Sequence, residues 1–185
     1  MIRKHYYSWQ DVEKACVNIA LQMYKDNWRP DYIVGLNRGG LPLSVMLSHL
    51  LGCNHYTLNV RLRDSKESPE SNLWIAEQAF GYVPEEDRTA TKSRWDISKR
   101  KKILIVDDIN DTGATFNWIM KDWQSGCLPN ESSWDTVWGG NVRFATLTEN
   151  LASTFHNVNY TYHEINKEEE DVWLVYPWEN VGAHE

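Results

Sequence analysis

The stretch Ile103-Leu104-Ile105-Val106-Asp107-Asp108-Ile109-Asn110-Asp111-Thr112-Gly113-Ala114-Thr115 concentrates the residues best suited to chemistry. An aliphatic run delivers two adjacent acids, and a short polar turn follows them. Residues Asp111 to Thr115 can wrap backbone N–H groups and the hydroxyls of Thr112 and Thr115 around a phosphate at a helix N-terminus, where the helix dipole also favours negative charge. Asp107 and Asp108 would repel such a phosphate directly. They suit sugar hydroxyls and a divalent cation instead, because carboxylates accept O–H bonds and are hard ligands for magnesium. The implied ligand is a phosphorylated sugar with free hydroxyls. A second segment, Asn37-Arg38-Gly39-Gly40, places an arginine beside paired glycines that permit backbone conformations closed to other residues.

The elements that must position these residues are legible from periodicity. Ser8 and Asp11 read as a capping box, and Val12, Cys16, Ile19, Ala20 and Met23 recur at helical spacing, so a helix is expected over roughly residues 9–26. Residues 32–36 form a short apolar strand that runs into the Arg38 loop. Pro42 opens a helix through Leu51, closed by Gly52, and residues 56–62 alternate as a strand should. Residues 103–106 are a continuous aliphatic run, the pattern of a strand buried on both faces of a parallel sheet. A helix is expected from Gly113 to Ser125, and strands at 142–148 and 158–165. Two stretches interrupt this order: 63–100, with a weak helical signal around Trp74 to Phe80, and 126–140. The first has the length and polarity of a lid, with Arg61, Arg63 and Lys66 near its base. The whole reads as one α/β domain over 1–185, an open, mainly parallel twisted sheet with helices on both faces. Its ligands should sit beyond the carboxyl ends of the strands.

Composition limits the partners. With 19 Lys+Arg against 26 Asp+Glu in 185 residues, the formal net charge is -7, which argues against broad attraction to nucleic acid or anionic membranes. Mean hydropathy is -0.58 and no continuous apolar segment follows the N-terminus, so a cytoplasmic, soluble protein is expected. Cys16, Cys53 and Cys127 never form a CxxC pair, and the six histidines show no metal-ligand spacing, so neither a disulfide framework nor a zinc site is indicated.

The aliphatic strand, Asp-Asp, then Asp-Thr-Gly and Thr, resembles the motif by which type I phosphoribosyltransferases bind 5-phosphoribosyl-1-pyrophosphate. Asn37 to Leu41 is similar to the pyrophosphate loop of the bacterial xanthine-guanine enzymes. Trp173 to Trp178 looks like their C-terminal base-binding hood segment. The likeness covers 5–62 and 102–183. It implies the type I phosphoribosyltransferase fold, with Asp107 and Asp108 on the ribose hydroxyls and Asp108 also reaching Mg2+, directly or through water. Asp111 would be the catalytic group near purine N7. Asp111, Thr112, Gly113, Ala114 and Thr115 would form the 5-phosphate loop, Arg38 and Gly39 would take the pyrophosphate, and Trp173 and the Leu174 backbone would meet the base.

The resemblance implies a Mg2+-dependent transfer of phosphoribosyl to a purine, with phosphoribosyl pyrophosphate and a nucleobase as partners and a homo-oligomer, dimer or tetramer, as the assembly. Three departures stand beside it. A lysine after Phe-Ala recognises the 6-oxo group in the bacterial enzymes, whereas Phe144-Ala145 is followed here by Thr146. The lid begins Leu62-Arg63-Asp64-Ser65 rather than with Ser-Tyr, and Ala114 replaces a glycine. The alternative is a non-catalytic protein that binds phosphoribosyl pyrophosphate or a nucleotide on the same fold. An Asp-nucleophile phosphotransferase is disfavoured, since it would leave the glycine-threonine turn unexplained.

Overall fold

A computed structural model describes residues 2–60, 73–88 and 94–179. The chain runs through β1 (Arg3–Tyr6), α1 (Trp9–Lys25), β2 (Tyr32–Leu36), α2 (Leu41–Leu51) and β3 (Asn54–Leu58). It continues through α3 (Leu73–Phe80), β4 (Ile103–Asn110), α4 (Ala114–Gly126), β5 (Val142–Asn150), β6 (Tyr160–Ile165) and β7 (Val172–Val175). Five strands form a parallel sheet in the order β3-β2-β4-β5-β6, and β1 pairs in parallel with β7 as a separate two-stranded hood.

Local chemistry explains the elements that matter for the site. α1 starts where Ser8 Oγ accepts the Asp11 N–H at 3.1 Å while the Asp11 carboxylate accepts the Ser8 N–H at 2.7 Å, the reciprocal cap expected from the sequence. α2 ends on Gly52, whose left-handed backbone L side chains rarely adopt. Alternation along the central strand divides the core. Leu104 and Val106 pack with Val12, Ile19 and Leu47 under α1 and α2, whereas Ile103 and Ile105 pack with Phe116 and Trp123 of α4.

The open, mainly parallel sheet with helices on both faces is present, and its order creates a gap. β2 pairs with β4 only as far as Gly35 and Val106, while β5 stays paired with β4 through Asn110 and Glu149. β4 connects through α4 towards β5 on one side, and β2 through α2 towards β3 on the other. The strand order therefore reverses between β2 and β4, the place where open α/β sheets bind ligands.

Two expectations are corrected. β4 does not stop before the acids: Asp107 and Asp108 lie within it, because β5 continues to pair with it opposite Thr146 and Thr148. Within the 63–100 stretch, Leu73–Phe80 belongs to the core rather than to a lid. α3 buries Ile75, Ala76, Ala79 and Phe80, and Tyr32 Oη donates to Gln78 Oε1 at 2.7 Å, so this part is a wall of the core. The helix itself carries a single charge, Glu77, and its signal was legible; the polar stretches on either side hid that it packs into the core. The expectations for Arg61, Arg63 and Lys66 lie outside the described residues. In the 126–140 stretch, a short turn of helix at Ser132–Thr136 buries Trp134 beside Phe80, with ring centroids 4.9 Å apart.

Candidate active site

The carboxyl end of β4 lines a cleft of about 630 Å³ formed by Val60 and residues 107–116. Asp107, Asp108, Asp111, Thr112, Gly113, Ala114 and Thr115 are thus brought together as expected. Gly113 has φ +90, and a Cβ there would lie 2.5 Å from the Phe155 amide nitrogen, so the turn admits glycine on conformational and steric grounds alike. α4 begins at Ala114 with no side-chain cap from Gly113; the Ala114 N–H donates to Thr112 Oγ1 at 3.3 Å, and the rest of the first turn is left for an anion.

A splint that sequence reasoning missed holds this turn. Thr154 donates to the Thr112 carbonyl from its backbone N–H at 3.0 Å and from its hydroxyl at 2.8 Å. Asn110 Nδ2 donates to the Phe155 carbonyl at 3.0 Å, and Ser153 Oγ donates to Asn110 Oδ1 at 3.0 Å. The buried Asn150 donates to the Asp111 carbonyl at 2.9 Å. Single polar residues at the end of a strand carry no periodic signal, so these contacts surface only in three dimensions.

Burial holds the Asp107 carboxyl well above the ordinary carboxylate range, and the neighbouring Asp108 pushes it further in the same direction. Asp108 is also raised, chiefly by burial, although the Ile109 N–H donates to its Oδ1 at 2.9 Å. This pair fits a divalent cation: two adjacent hard oxygen donors whose burial disfavours uncompensated charge. Among the described residues no group of three or more His, Cys, Asp or Glu is arranged to hold a metal, so a magnesium ion here would complete its shell with substrate oxygens and water.

Across the gap, a second cleft of about 1060 Å³ is lined by Arg38, Gly39, Trp9, Trp178 and Asp108 among others, so Asp108 is the wall the two clefts share. The Asn37–Arg38 peptide is cis. Gly39 passes directly over the acid, since a Cβ on it would lie 2.2 Å from Asp108 Oδ2.

Trp173 and Leu174 line neither cleft. Trp173 stands on β7 with 61 % of its surface exposed, and Leu174 is half-buried beside the core. Trp178 reaches the second cleft instead, at the end of a stack in which Tyr7, Tyr176 and Trp178 lie nearly parallel at centroid spacings of 5.0 and 4.9 Å. The hood is fastened to the site by Tyr176, whose hydroxyl lies 3.1 Å from Thr148 Oγ1 and 3.3 Å from the Asp108 carbonyl.

Thr146 is fully buried, its hydroxyl 3.3 Å from that of Thr161, and it lines neither cleft. The cation beside the motif is Lys167, which no motif or periodicity in the sequence singles out. Lys167 Nζ lies 3.0 Å from the Asp111 carboxylate.

A phosphate-sized turn, an acid pair and an arginine-glycine loop therefore meet at one switch point. The phosphoribosyl transferase domain model matches residues 3–177. The chain belongs to the phosphoribosyl transferase family. It is 24 % identical over 192 residues to the hypoxanthine-guanine phosphoribosyltransferase of Schizosaccharomyces pombe, covering 94 % of this chain and 88 % of that protein. It is also 24 % identical over 200 residues to xanthine phosphoribosyltransferase 1 of Saccharomyces cerevisiae, covering 97 % and 92 %. Among solved structures, the purine phosphoribosyltransferase of Pyrococcus horikoshii superposes with a TM-score of 0.62 at 24 % identity, over 100 % of this chain and 99 % of that one. That likeness establishes the fold.

Proposed function

We propose that the protein transfers the phosphoribosyl group of 5-phosphoribosyl-1-pyrophosphate to a purine base, yielding a nucleoside monophosphate and pyrophosphate. The observation that carries this reading is the shared wall at Asp108: the phosphate turn and acid pair open on one side of it, and Arg38 and Gly39 on the other. One extended substrate can span both clefts with its ribose over the acids.

In this reading Thr112 to Thr115 and the first turn of α4 hold the 5-phosphate, and Asp107 and Asp108 accept the ribose hydroxyls. Arg38 and the Gly39 backbone bind the pyrophosphate. Asp108, with substrate oxygens, would hold magnesium, which would supply positive charge where the leaving group becomes more negative. The base attacks the anomeric carbon through N9 as the bond from that carbon to pyrophosphate breaks. Asp111 accepts the proton that leaves N7, which keeps the ring neutral as the new bond forms. Trp178, which lines the second cleft, takes the place expected of Trp173 as the candidate aromatic surface for the base. The match to purine enzymes along nearly the whole chain supports the choice of base.

We carry forward a cytoplasmic homo-oligomer as part of this reading. The exposed Val17, Leu21 and Tyr24 of α1 offer apolar surface for a second copy, and among the described residues no helix is long and apolar enough to cross a membrane. The test of the activity is direct. The protein is incubated with magnesium, phosphoribosyl pyrophosphate and each of guanine, xanthine, hypoxanthine, adenine, uracil and orotate. Nucleotide from one or more purines is expected. Calorimetric binding of phosphoribosyl pyrophosphate with no nucleotide from any base would establish the non-catalytic alternative.

A further inference from the structure

Lys167 sits on the turn after β6, far from the phosphate motif in sequence, yet its Nζ is 3.0 Å from each carboxylate oxygen of Asp111. Its position is fixed by more than this ion pair. The Lys167 backbone N–H donates to Asn150 Oδ1 at 3.0 Å, and the same Asn150 side chain donates to the Asp111 carbonyl at 2.9 Å. One buried amide at the end of β5 thus ties the acid and the cation-bearing turn together. Asp111 lines the first cleft, and Lys167, 30 % exposed, stands beside it at that cleft's edge, paired to the 42 % exposed carboxylate.

We propose that Lys167 is a specificity-determining residue, which with Asp111 reads the edge of a 6-oxopurine: the ammonium donates to the exocyclic oxygen while the carboxylate accepts the N7 proton. The inference rests on the transfer reading above. A purine that attacks through N9 carries its proton on N7, and the C6 substituent is the neighbour of N7 on the same edge of the ring. That edge offers a donor beside an acceptor when C6 bears an oxygen. A carboxylate beside an ammonium is its complement. Adenine turns its 6-amino hydrogens towards the ammonium and opposes donor to donor, and a purine with nothing at C6 leaves the ammonium without that bond.

The position after Phe144-Ala145 on β5 supplies no positive charge, since Thr146 is neutral, buried within the sheet and hydrogen-bonded to Thr161. Nor does the resting ion pair stand in the way. It is partly exposed to water, where such pairs are weak, so an incoming base can take over one partner each from Asp111 and Lys167. Asn150 is the positioning residue for both.

The test compares substrates within each variant. Transfer is measured for the wild type, Lys167→Met and Lys167→Gln with hypoxanthine, unsubstituted purine and adenine at saturating phosphoribosyl pyrophosphate. Losing a charge-assisted bond should lower kcat/KM for hypoxanthine roughly 10- to 100-fold in both variants. Unsubstituted purine should change by less than about threefold, and the preference for hypoxanthine over adenine should shrink. Lys167→Arg should recover part of the hypoxanthine activity. Because each ratio is taken within one preparation, a reduced folded fraction cancels from it. Equal losses on hypoxanthine and unsubstituted purine would make Lys167 a mere support for Asp111 and overturn the inference, as would no loss at all. A wild type that acts on no purine would instead overturn the transfer reading, and this inference with it.

Discussion

Gly39 and Asp108 are in direct steric contact: a methyl group on the glycine would lie 2.2 Å from the carboxylate oxygen Oδ2. The loop after β2 and the acid on β4 are therefore packed against one another across the gap in the sheet.

Gly39→Ala tests that fit. The added methyl must displace either the loop or the Asp108 carboxylate, and displacements of about 1 Å in a reacting site cost on the order of 100-fold in rate. We expect kcat/KM to fall by about that factor, at an overpacking cost of about 1–3 kcal/mol in stability. Kinetics together with thermal unfolding separate the two effects. Activity within a few-fold of the wild type would show that the contact is relieved without consequence for the site.

The buried acids give a pH dependence with a definite sign. Asp107 and Asp108 titrate above the ordinary carboxylate range in the folded protein because burial disfavours their charge. Between the unfolded and folded values the native state then binds more protons than the unfolded chain, so stability falls as pH rises through that window. Asp107→Asn, measured in a chelator, should raise the unfolding midpoint at pH 8, by about 2–4 °C for each kcal/mol of charge burial relieved, and flatten the decline with pH. It should also lose transfer activity. Parallel midpoint–pH curves for the two proteins would contradict the assignment.

The splint beneath the phosphate turn is tested by Asn150→Ala. The buried amide serves the Asp111 carbonyl, the Lys167 N–H and the Ala152 N–H, so its removal strands several polar groups. A loss of about 1–3 kcal/mol is expected, accompanied by weaker binding of phosphoribosyl pyrophosphate through the slackened turn. An unchanged dissociation constant by calorimetry would show that Thr154 and Asn110 hold the turn without it.

These residues mark the boundary of what the chain's local pattern discloses. The aliphatic run of β4, the cap of α1 and the glycine at position 113 each announce themselves through spacing or composition, because a buried strand, a helix end and a positive φ all restrict residue type locally. Asn150, Thr154 and Lys167 do not, since their importance comes from meeting β4 after a strand or two of intervening chain. The same reason hid the core contacts of α3, whose helical signal around Trp74 to Phe80 was legible. Its apolar side is short and flanked by charge, and it becomes a core wall only when Tyr32 and Phe116 are beside it. Trp178 was passed over for Trp173 because both are aromatic and five residues apart, and only the direction in which each leaves the hood distinguishes them.

The hood should be sensitive to acid. Tyr7, whose hydroxyl is pushed up to about 12 by burial and stays protonated, lies 2.7 Å from Thr148 Oγ1 and 2.6 Å from His163 Nδ1. Burial lowers the His163 value, and the nearby His5 and Arg3 lower it further, against the opposing pull of Asp11. In the folded protein the imidazole is thus held neutral, and between its lowered value and the ordinary value of about 6.5 the unfolded chain binds more protons. Stability must then fall as pH drops below about 6.5. His163→Gln should blunt that fall in the unfolding midpoint between pH 7 and 5. Tyr7→Phe should remove about 1–3 kcal/mol by taking the hydroxyl from His163 Nδ1 and leaving Thr148 with Tyr176 alone. Since Tyr176 joins Thr148 to the Asp108 carbonyl, the Tyr7 variant is also expected to raise KM for phosphoribosyl pyrophosphate. If acid lowers the midpoint of His163→Gln as steeply as that of the wild type, carboxylates elsewhere govern the acid limb and His163 does not.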